Sequence, residues 1–370
     1  MFKQKKKDPK RNFKLVKSLV PSLNLLNKSQ DYKKYASLVP EYLASSKAVS
    51  TNNQYFLAFK RFEQFCIENQ VQAVPTNPDD LLVYYVKLSE ESKSSSAVFQ
   101  ANSSIKFYNN LSFPQLSSPT EREDVKLIVE KIRRKWSKPV VKRNPSTVDV
   151  IKKLVDILLK GDHMKTKNFT VKVVTWRVVI KSIFKFTTFA RFEEVVELKI
   201  LSSFDILPSG DLEVTFLKGK NNQFFDARKV VISKLESFYD PVNLIRKYFK
   251  VLNYPPAVNG FFLPVVVPRK VTSKYSLLSA KVFVPDPSRS ICYNTCRSDF
   301  KAALIQIGED PKLFGEHSDK IGGLTAAANS EVLDAEDLRH HGRWKSANTY
   351  KMYHKKSLAL RKKVTLNLGL

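Results

Sequence analysis

The sequence predicts a mainly α-helical protein with a small β-sheet, divided into two domains. Its 370 residues are enough for two separate cores. Only 10 glycines, together with apolar residues that recur every three or four positions, favour helices over most of the chain. One stretch in the second half alternates apolar and polar residues, as the strands of a β-hairpin do. Because 43% of the residues are hydrophobic, we expect globular domains and not a disordered chain.

The first 27 residues predict a basic, flexible tail. Residues 3–17 contain eight lysines and arginines and a single acid, Asp8. Such a run is typical of a nuclear localisation signal, of an arm that binds DNA phosphates, or of a solubilising end. In a eukaryotic host it favours the nucleus, and in any other host we expect the cytoplasm.

Residues 28–136 predict a bundle of four helices. The first should have Ser50 or Thr51 as its cap and bury one aromatic face. Asn77 followed by Pro78 is typical of the start of the second helix. The third and fourth helices are expected over 98–107 and 119–136.

A basic linker is expected over 137–146. It overlaps a run, 131–143, that holds seven lysines and arginines and no acid. Such a run can lie along DNA phosphates, although an ordinary basic linker would have the same composition. The candidate DNA-binding residues here are Arg133, Arg134, Lys135, Lys142 and Arg143.

The second domain is expected over 147–358, followed by a C-terminal tail over 359–370. A β-hairpin is predicted from residues 211–217 and 224–232, with lysines at its turn. Residues 253–290, with six prolines, indicate a long irregular connection that contains one weak strand. The predicted helices are 147–160, 169–189, 241–252, 291–307, 320–330, 334–340 and 346–354.

Three cations lie four residues apart on the predicted helix 169–189. They are Arg177, Lys181 and Lys185, and this spacing places them on one face. The pattern favours the solvated face of an amphipathic helix. A ridge that contacts DNA is the alternative.

The charge of the chain narrows its possible partners. There are 63 lysines and arginines against 35 acids, a net charge of +28. A positive field of this size attracts polyanions, so duplex DNA or another nucleic acid is the leading partner. A ribosome-associated protein and a protein of acidic membrane surfaces are the alternatives. The 3 cysteines are too few for a disulfide framework or a zinc site, and we expect neither a metal nor a membrane segment.

The motif Gly342-Arg343-Trp344 is the most informative part of the sequence. It precedes two tyrosines, and Tyr353 lies nine residues after Trp344 in a segment rich in cations. A tyrosine held among fixed cations can act as a nucleophile toward phosphate. Tyr350 lies about one turn away on the same helical face and is the alternative nucleophile.

This segment resembles the C-terminal active-site segment of the tyrosine recombinase (phage-integrase) family. The Gly-Arg-Trp turn resembles the eukaryotic, mobile-element-associated branch of that family. The resemblance covers 147–358 by motif, and the preceding bundle fits the family's core-binding domain by position and class. It implies a helical core-binding domain followed by a mixed α/β catalytic domain.

The other parts of the family pattern lie upstream of the tyrosine. An arginine followed three positions later by glutamate is matched by Arg191 and Glu194. The lysine on the family's hairpin is matched by Lys220, with Lys218 as a close competitor. The family's His-x-x-Arg is matched by His317 and, in place of the arginine, Lys320.

The resemblance implies a reaction that needs neither metal nor ATP nor another cofactor. Attack by Tyr353 would leave a 3′-phosphotyrosyl link and a free 5′-hydroxyl. The resemblance implies that Arg191 and Lys320 bind the phosphate and that Glu194 orients Arg191. It implies that Lys220 protonates the leaving oxygen and that His317 transfers the tyrosine proton. Trp344 would donate its indole N–H or pack the pocket. The implied assembly is a cyclic homotetramer on two duplexes, with no membrane or small-molecule partner.

The remaining candidates are weaker. His340 and His341 end a predicted helix, where histidines often serve as caps, and both are lesser candidates for the site. Arg343 and Lys345 are candidate DNA contacts.

The functional hypotheses differ in what they expect of Lys320. Lysine keeps the charge of arginine but loses its two parallel donors. The first hypothesis is DNA breakage and rejoining for site-specific recombination or integration of a mobile element. The second is a domesticated DNA-binding protein with little or no catalysis, which the lysine favours. A type IB topoisomerase-like enzyme is a distant third.

Overall fold

The computed structural model describes residues 9–20, 25–139, 142–161, 169–217, 227–272, 279–330, 332–344 and 346. The chain forms two compact units, Met1–Val140 and Val141–Leu370. The division falls inside the stretch for which a linker was predicted. Mainly helical units with small antiparallel sheets confirm the predicted fold class.

The first unit is all helical in its described residues. Its centre is an aromatic cluster in which Phe59, Phe62, Tyr84 and Tyr108 are buried. The helices are α1 (Pro9–Leu19), α2 (Gln30–Ala36), α3 (Val39–Ala44), α4 (Val49–Glu68), α5 (Pro78–Ser92), α6 (Ser95–Ser112) and α7 (Glu123–Lys135), with a 3-10 turn at Pro119–Glu121 before α7.

The predicted N-cap is correct for α5 and wrong for α4. Asn77 caps α5 through its side chain, which accepts from the backbone N–H of Asp79 at 3.0 Å. Pro78 occupies the first turn, where the missing N–H costs nothing. The predicted cap of α4 is wrong, because the helix already begins at Val49 and Ala48 takes the cap position.

The predicted flexible tail is wrong for residues 9–20. They form α1, which buries Leu15 and Val16 in the core of the first unit. Asn12 donates to the carbonyl of Ala44 at 3.1 Å and accepts from the hydroxyl of Tyr108 at 2.6 Å. Apolar burial and buried hydrogen bonds outweigh the charge of this segment.

The second unit packs around one long helix, Phe169–Thr188. The helices are α8 (Val148–Lys160), α9 (Phe169–Thr188), α10 (Phe192–Val195), α11 (Ile200–Ser203), α12 (Pro241–Leu252), α13 (Tyr293–Gln306), α14 (Ser318–Ala328) and α15 (Ala335–His341). The predicted helices up to residue 340 are therefore present, whereas the predicted helix 346–354 lies almost wholly outside the described residues.

Two small antiparallel sheets complete this unit. In the first, β2 (Leu212–Phe216) lies between β1 (Phe204–Ile206) and β3 (Arg228–Ile232), as the predicted hairpin requires. In the second, β4 (Pro264–Thr272) pairs with β5 (Ser279–Ser290). The expectation of an irregular connection over 253–290 is therefore wrong, since most of that stretch is a two-stranded ladder. In such a ladder proline is tolerated at an edge strand.

The basic stripe of α9 points into the protein and not into solvent. Arg177 is 3% exposed, Lys181 1% and Lys185 0%. Each is paired with an acid, and Arg177 donates to Asp299 at 2.6 Å and to the carbonyl of Pro264 at 2.6 Å. The prediction of a solvated face is wrong, and buried side chains in these pairs are not placed to reach a DNA phosphate.

Two adjacent glycines let α14 approach its neighbours. A Cβ at Gly322 would lie 1.8 Å from the carbonyl oxygen of Ser146, and one at Gly323 would lie 1.8 Å from that of Phe186. Both contacts are with backbone, which cannot move aside like a flexible side chain. The glycines therefore fix α14 close to α9, as close packing of this helix requires.

No helix in the described parts of the chain is long and apolar enough to span a membrane.

Candidate active site

Arg191 stands at the sharp connection between α9 and α10. Its backbone N–H donates to Glu194 Oε2 at 2.8 Å, and its side-chain Nη1 donates to Glu194 Oε1 at 3.0 Å. Glu194 is thus the N3 residue of a capping box whose N-cap is Arg191. The spacing of three residues, noted in the sequence, places the carboxylate where it holds the arginine in one orientation.

A second guanidinium binds the same carboxylate. Arg343 Nη2 donates to Glu194 Oε2 at 3.4 Å, and Arg343 Nη1 donates to the carbonyls of Thr188 at 3.0 Å and His341 at 3.3 Å. The guanidinium carbon lies 4.0 Å from the ring centroid of Phe216. Burial of Glu194 acts to raise its pKa, but the charges of Arg343 and then Lys320 hold that pKa below its usual value.

Arg343 therefore faces inward, and its role as a DNA contact stays a prediction. Its side chain is 6% exposed, and its backbone has a φ of 55°, the left-handed region. Arg228 Nη1 donates to its carbonyl at 2.8 Å and helps to hold this turn. The turn sends the side chain back toward Glu194.

Lys320 lies on the first turn of α14 and is 1% exposed. Its Nζ is 5.4 Å from the ring centroid of Trp344. Burial and the positive charge of Arg191 lower the pKa of Lys320 to about 7, with Arg343 and Lys185 adding to the effect and Glu194 opposing it. The amine is thus the one cation of this group whose charge can change near neutral pH, because arginine stays protonated.

Trp344 closes the site on the side of α15. Its ring stacks on Phe189 with centroids 6.4 Å apart and planes at 12°. A Cβ at Gly342 would lie 2.8 Å from the indole, so the glycine of the motif is required by the packing of its tryptophan. Trp344 belongs to a small core with Phe189, Leu324 and Leu338.

The two histidine candidates differ in their environment. His317 lies at the N-cap of α14 with part of its surface exposed to solvent. Desolvation of the rest of the residue, followed by the charges of Lys185 and Lys320, lowers its pKa. His341 Nε2 lies 2.6 Å from the carbonyl of Thr187 and must be the donor, because a carbonyl only accepts. Burial lowers the pKa of His341.

A buried ionic cluster below His317 was missed in the sequence. Glu316, 3% exposed, accepts from Lys185 Nζ at 3.2 Å and from Lys181 Nζ at 3.5 Å through its carboxylate, and its backbone carbonyl also accepts from Lys185. Asp319 Oδ2 is 3.8 Å from Lys181 Nζ. Burial of Lys181 acts to lower its pKa, but the attraction of Glu316 raises that pKa above its usual value.

This ionic cluster positions the start of α14. Glu316 directly precedes His317, and Asp319 directly precedes Lys320. Asp319 also accepts from the hydroxyl of Ser146 at 2.6 Å. The acids belong to the same turn as the candidate catalytic residues, and the buried lysines of α9 hold that turn from within.

Several predicted site residues lie outside the described residues. They are Lys218, Lys220, Lys345, Tyr350 and Tyr353, so their positions stay predictions. Among the residues that the structure does describe, no group of three or more histidines, cysteines or acids forms a metal site.

The basic residues near the division of the two units are exposed. The side chains of Arg133, Arg134 and Lys135 are 66%, 77% and 44% exposed at the end of α7. Lys142 and Arg143 are also exposed, and Arg143 donates to the carbonyl of Lys312. Their role as DNA contacts stays a prediction.

A basic cavity of about 400 Å³ adjoins the site at Arg343 and Trp344. Its walls are built almost wholly of cationic and aromatic side chains. They are Arg228, Lys229, Arg339, His340, Arg343 and Trp344.

This chain is similar to known proteins in its structure and not in its sequence. No family model and no curated protein matches the chain. The structure is similar to that of the XerH site-specific recombinase in a post-cleavage complex with palindromic difH substrate, with a TM-score of 0.55, 13% identity, and coverage of 99% of this chain and 98% of that one. The fold is that of a tyrosine recombinase.

Two further solved recombinases have lower scores. The XerA recombinase gives a TM-score of 0.40 at 13% identity, covering 98% of this chain and 100% of its own. The Tn1549 transposon integrase in complex with circular intermediate DNA gives 0.46 at 9% identity, covering 97% and 98%. Both units of this chain lie within the stretch aligned with the XerH structure, since that alignment covers 99% of the chain.

Proposed function

We propose that this protein breaks and rejoins duplex DNA through a 3′-phosphotyrosyl intermediate. The observation that carries the proposal is the pairing of both Arg191 and Arg343 with the carboxylate of Glu194, whose pKa the charge of Lys320 also lowers. Three basic groups that share one acid form a site suited to an added anion. The tyrosine recombinase fold supports a phosphodiester as that anion.

In the proposed reaction, Tyr353 is the nucleophile. Its phenolate oxygen forms a bond to the scissile phosphorus as the bond from phosphorus to the 5′-oxygen breaks. The phosphate's developing charge is stabilised by Arg191 and Lys320, since fixed donors in a water-poor site act most strongly on the transition state. Glu194 orients Arg191, and Arg343 orients Glu194. Because the phosphotyrosyl bond conserves the energy of the phosphodiester, neither ATP nor a metal is required.

Proton transfer is assigned to groups near this phosphate site. We propose that His317, which is exposed beside Lys320, accepts the proton of the tyrosine. Its lowered pKa keeps the ring neutral near pH 7, the state that can accept a proton. Lys220 is proposed as the donor to the leaving 5′-oxygen, with Lys218 as the alternative. Trp344 shapes the pocket by its packing.

DNA is proposed to contact the exposed basic residues of both units. Arg133, Arg134 and Lys135 would contact phosphates at the end of the first unit, and Lys142 and Arg143 would do so at the start of the second. The similar XerH structure holds a difH substrate. We also propose a homotetramer on two duplexes, recombination of a mobile element as the biological role, and a nuclear location in a eukaryotic host.

The test is a covalent-trapping assay with nicked duplexes taken from the chain's own genomic flanks, in the absence of metal. Wild-type protein should yield a covalent adduct on a denaturing gel, and the adduct should disappear in Tyr353→Phe. The matched control is Tyr350→Phe, which should retain it. An adduct that persists in Tyr353→Phe would refute the assigned nucleophile.

The second candidate function is DNA binding without strand transfer. It is favoured by Lys320, which cannot hold two phosphate oxygens through parallel donors as arginine does. Losing a fixed donor to transition-state charge costs roughly 10²–10³ in rate. Salt-sensitive DNA binding with no adduct would support this function, and an adduct that appears in Lys320→Arg would identify the lysine as the cause.

A further inference from the structure

We propose that Phe189 is a positioning residue for Arg191. Its ring anchors the turn that carries the arginine, and the anchor is the small core that it forms with Leu324, Leu338 and Trp344. This role deepens the proposed function and rests on it, because Arg191 is taken as a ligand of the scissile phosphate.

The backbone of Phe189 has a conformation that favours glycine. Helix α9 ends at Thr188, and the next residue, Phe189, has a φ of 51°, in the left-handed region. A Cβ makes this region unfavourable, so glycine is the usual residue there. A bulky residue stays in such a conformation only when the contacts around it fix it. A phenylalanine at this position therefore indicates that the ring itself has a role.

The ring of Phe189 is held by the end of α15 and the turn that follows it. It stacks on Trp344 with centroids 6.4 Å apart and planes at 12°, and it meets the ring of His341 edge to face at 4.8 Å. Phe189 is 4% exposed, in one cluster with Leu324 of α14 and Leu338 of α15. The ring therefore joins the end of α9 to both later helices.

The same segment, 341–344, also binds two of the last carbonyl groups of α9. The final four carbonyls of a helix have no partner within the helix. His341 Nε2 donates to the carbonyl of Thr187 at 2.6 Å, and Arg343 Nη1 donates to that of Thr188 at 3.0 Å. These donors lie 154 and 155 residues further along the chain. The end of α9 is thus capped by a distant segment, and the left-handed turn depends on that segment.

Arg191 lies between two anchored stretches of backbone. Phe189 belongs to the small core, whereas Ala190 and Phe192 are buried in the larger core of the second unit. The backbone N–H of Arg191 donates to Glu194 at 2.8 Å, and its side-chain Nη1 reaches the same carboxylate at 3.0 Å. Fixing the backbone on both sides limits the directions that the guanidinium can take. Loss of the anchor at Phe189 should therefore release Arg191.

The expected effect is on the covalent step. A donor that is already in place stabilises the charge developing on the phosphate without reorganising during the reaction. Phe189→Gly removes the ring but keeps a residue that favours the left-handed backbone, so it removes the anchor alone. At saturating DNA, the rate of adduct formation should fall by at least about tenfold, towards the roughly 10²–10³ of a lost fixed donor.

The first experiment observes Arg191 in the free protein by ¹⁵N NMR of arginine side chains. Its signals are those that Arg191→Lys lacks. In wild type the bond from Nη1 to Glu194 slows rotation of the guanidinium, so separate Nη signals are expected at low temperature. In Phe189→Gly they should merge, while those of Arg177, which is paired with Asp299, should stay separate. Separate Arg191 signals in this variant would overturn the role, and so would merging of both sets, since Phe189 would then only stabilise the fold.

A matched pair of truncations tests the anchor from its other side. Leu338→Ala removes apolar volume from the small core without altering the chain next to Arg191, and it should also merge the Arg191 signals. Leu304→Ala makes the same change at a buried leucine of α13 in the larger core and should leave them separate. This pair decides the matter if Phe189→Gly does not fold. Equal Arg191 signals in the two variants would overturn the role of the small core.

The second experiment compares the rate of adduct formation on nicked duplexes with DNA affinity measured by fluorescence anisotropy. Phe189→Gly should lose rate and keep its affinity, whereas an equal loss of both would contradict a positioning role. Phe189→Leu keeps an apolar side chain in the small core and should restore most of the rate; a leucine variant as slow as the glycine variant would contradict the anchor. Absence of an adduct in wild type would refute the proposed function alone, because the NMR signals still decide how Arg191 is held.

Discussion

Two groups of buried or partly buried cations lie in the second unit, and they differ in how their charge is matched. On α9, Lys181 and Lys185 are matched by the carboxylates of Glu316 and Asp319. Around Glu194, in contrast, one carboxylate pairs with both Arg191 and Arg343, and the charge of Lys320 also lowers its pKa. A matched group stabilises a structure, whereas a group with excess charge is suited to receive a ligand of the opposite sign.

The burial of a lysine does not by itself distinguish the two groups. The α9 lysines are as buried as Lys320, yet the pKa of Lys181 is raised while that of Lys320 is lowered. The difference lies in the neighbouring charges. A perturbed lysine surrounded by other cations is therefore a better indication of a functional site than burial alone.

The largest expected effect comes from removing the acid of the matched group. Glu316→Gln leaves Lys181 and Lys185 buried with too little negative charge, and breaking a buried pair in this way costs about 3–5 kcal/mol of the free energy of unfolding. Urea denaturation followed by circular dichroism measures the loss. The control is Lys229→Gln, which removes an exposed pair with Glu213 and should leave the midpoint unchanged. A loss no larger than the control's would mean that the matched group does not hold α14.

A smaller effect is expected from the group with excess charge. The pKa of Lys320 is lower in the folded than in the unfolded state, so between about pH 7 and 10 the unfolded chain binds more protons. The free energy of unfolding should therefore rise with pH in this window, by at most roughly 1.4 kcal/mol per pH unit.

Lys320→Met should lack this rise, since it has no proton to exchange. Urea denaturation at several pH values above 7 compares the slopes of the two proteins, and every other titrating group is common to both. Parallel slopes for wild type and Lys320→Met would show that Lys320 keeps its proton in the free protein.

The smallest expected effect is on the salt dependence of DNA binding, which should differ between an exposed and a buried arginine. Arg133 is 66% exposed on α7, and Arg133→Gln should reduce the slope of log affinity against log salt by about one, the value for one lost phosphate contact. Arg177→Met should leave that slope unchanged, because Arg177 is paired with Asp299 inside the protein. Fluorescence anisotropy with labelled duplex at several salt concentrations measures both. An unchanged slope in Arg133→Gln would remove this residue from the DNA contacts.

Local signals in the sequence were sufficient for much of the fold. The helix Pro241–Leu252 has the predicted bounds, since a proline and an apolar period define it without help from distant residues. Arg191 and Glu194 also came together as expected, because a capping box needs only a spacing of three.

The missed features depend on contacts between distant parts of the chain. The α9 stripe shows a period of four, but the period does not reveal that Glu316, 131 residues from Lys185, would meet it inside the core. Helix α1 was hidden by its own charge, and the β4–β5 ladder by its prolines. The inward turn of Arg343 follows from a left-handed backbone at a residue other than glycine, for which the sequence carries no signal.

The backbone at the start of the second unit has a mechanical consequence. The backbone N–H of Asn144 donates to the carbonyl of Leu313 at 2.7 Å, and that of Ser146 donates to the carbonyl of Ser318 at 2.9 Å. Residues 144–146 are thus fastened to the stretch before His317 and to the first residue of α14. A displacement of residues 144–146 would therefore act directly on the helix that carries Lys320.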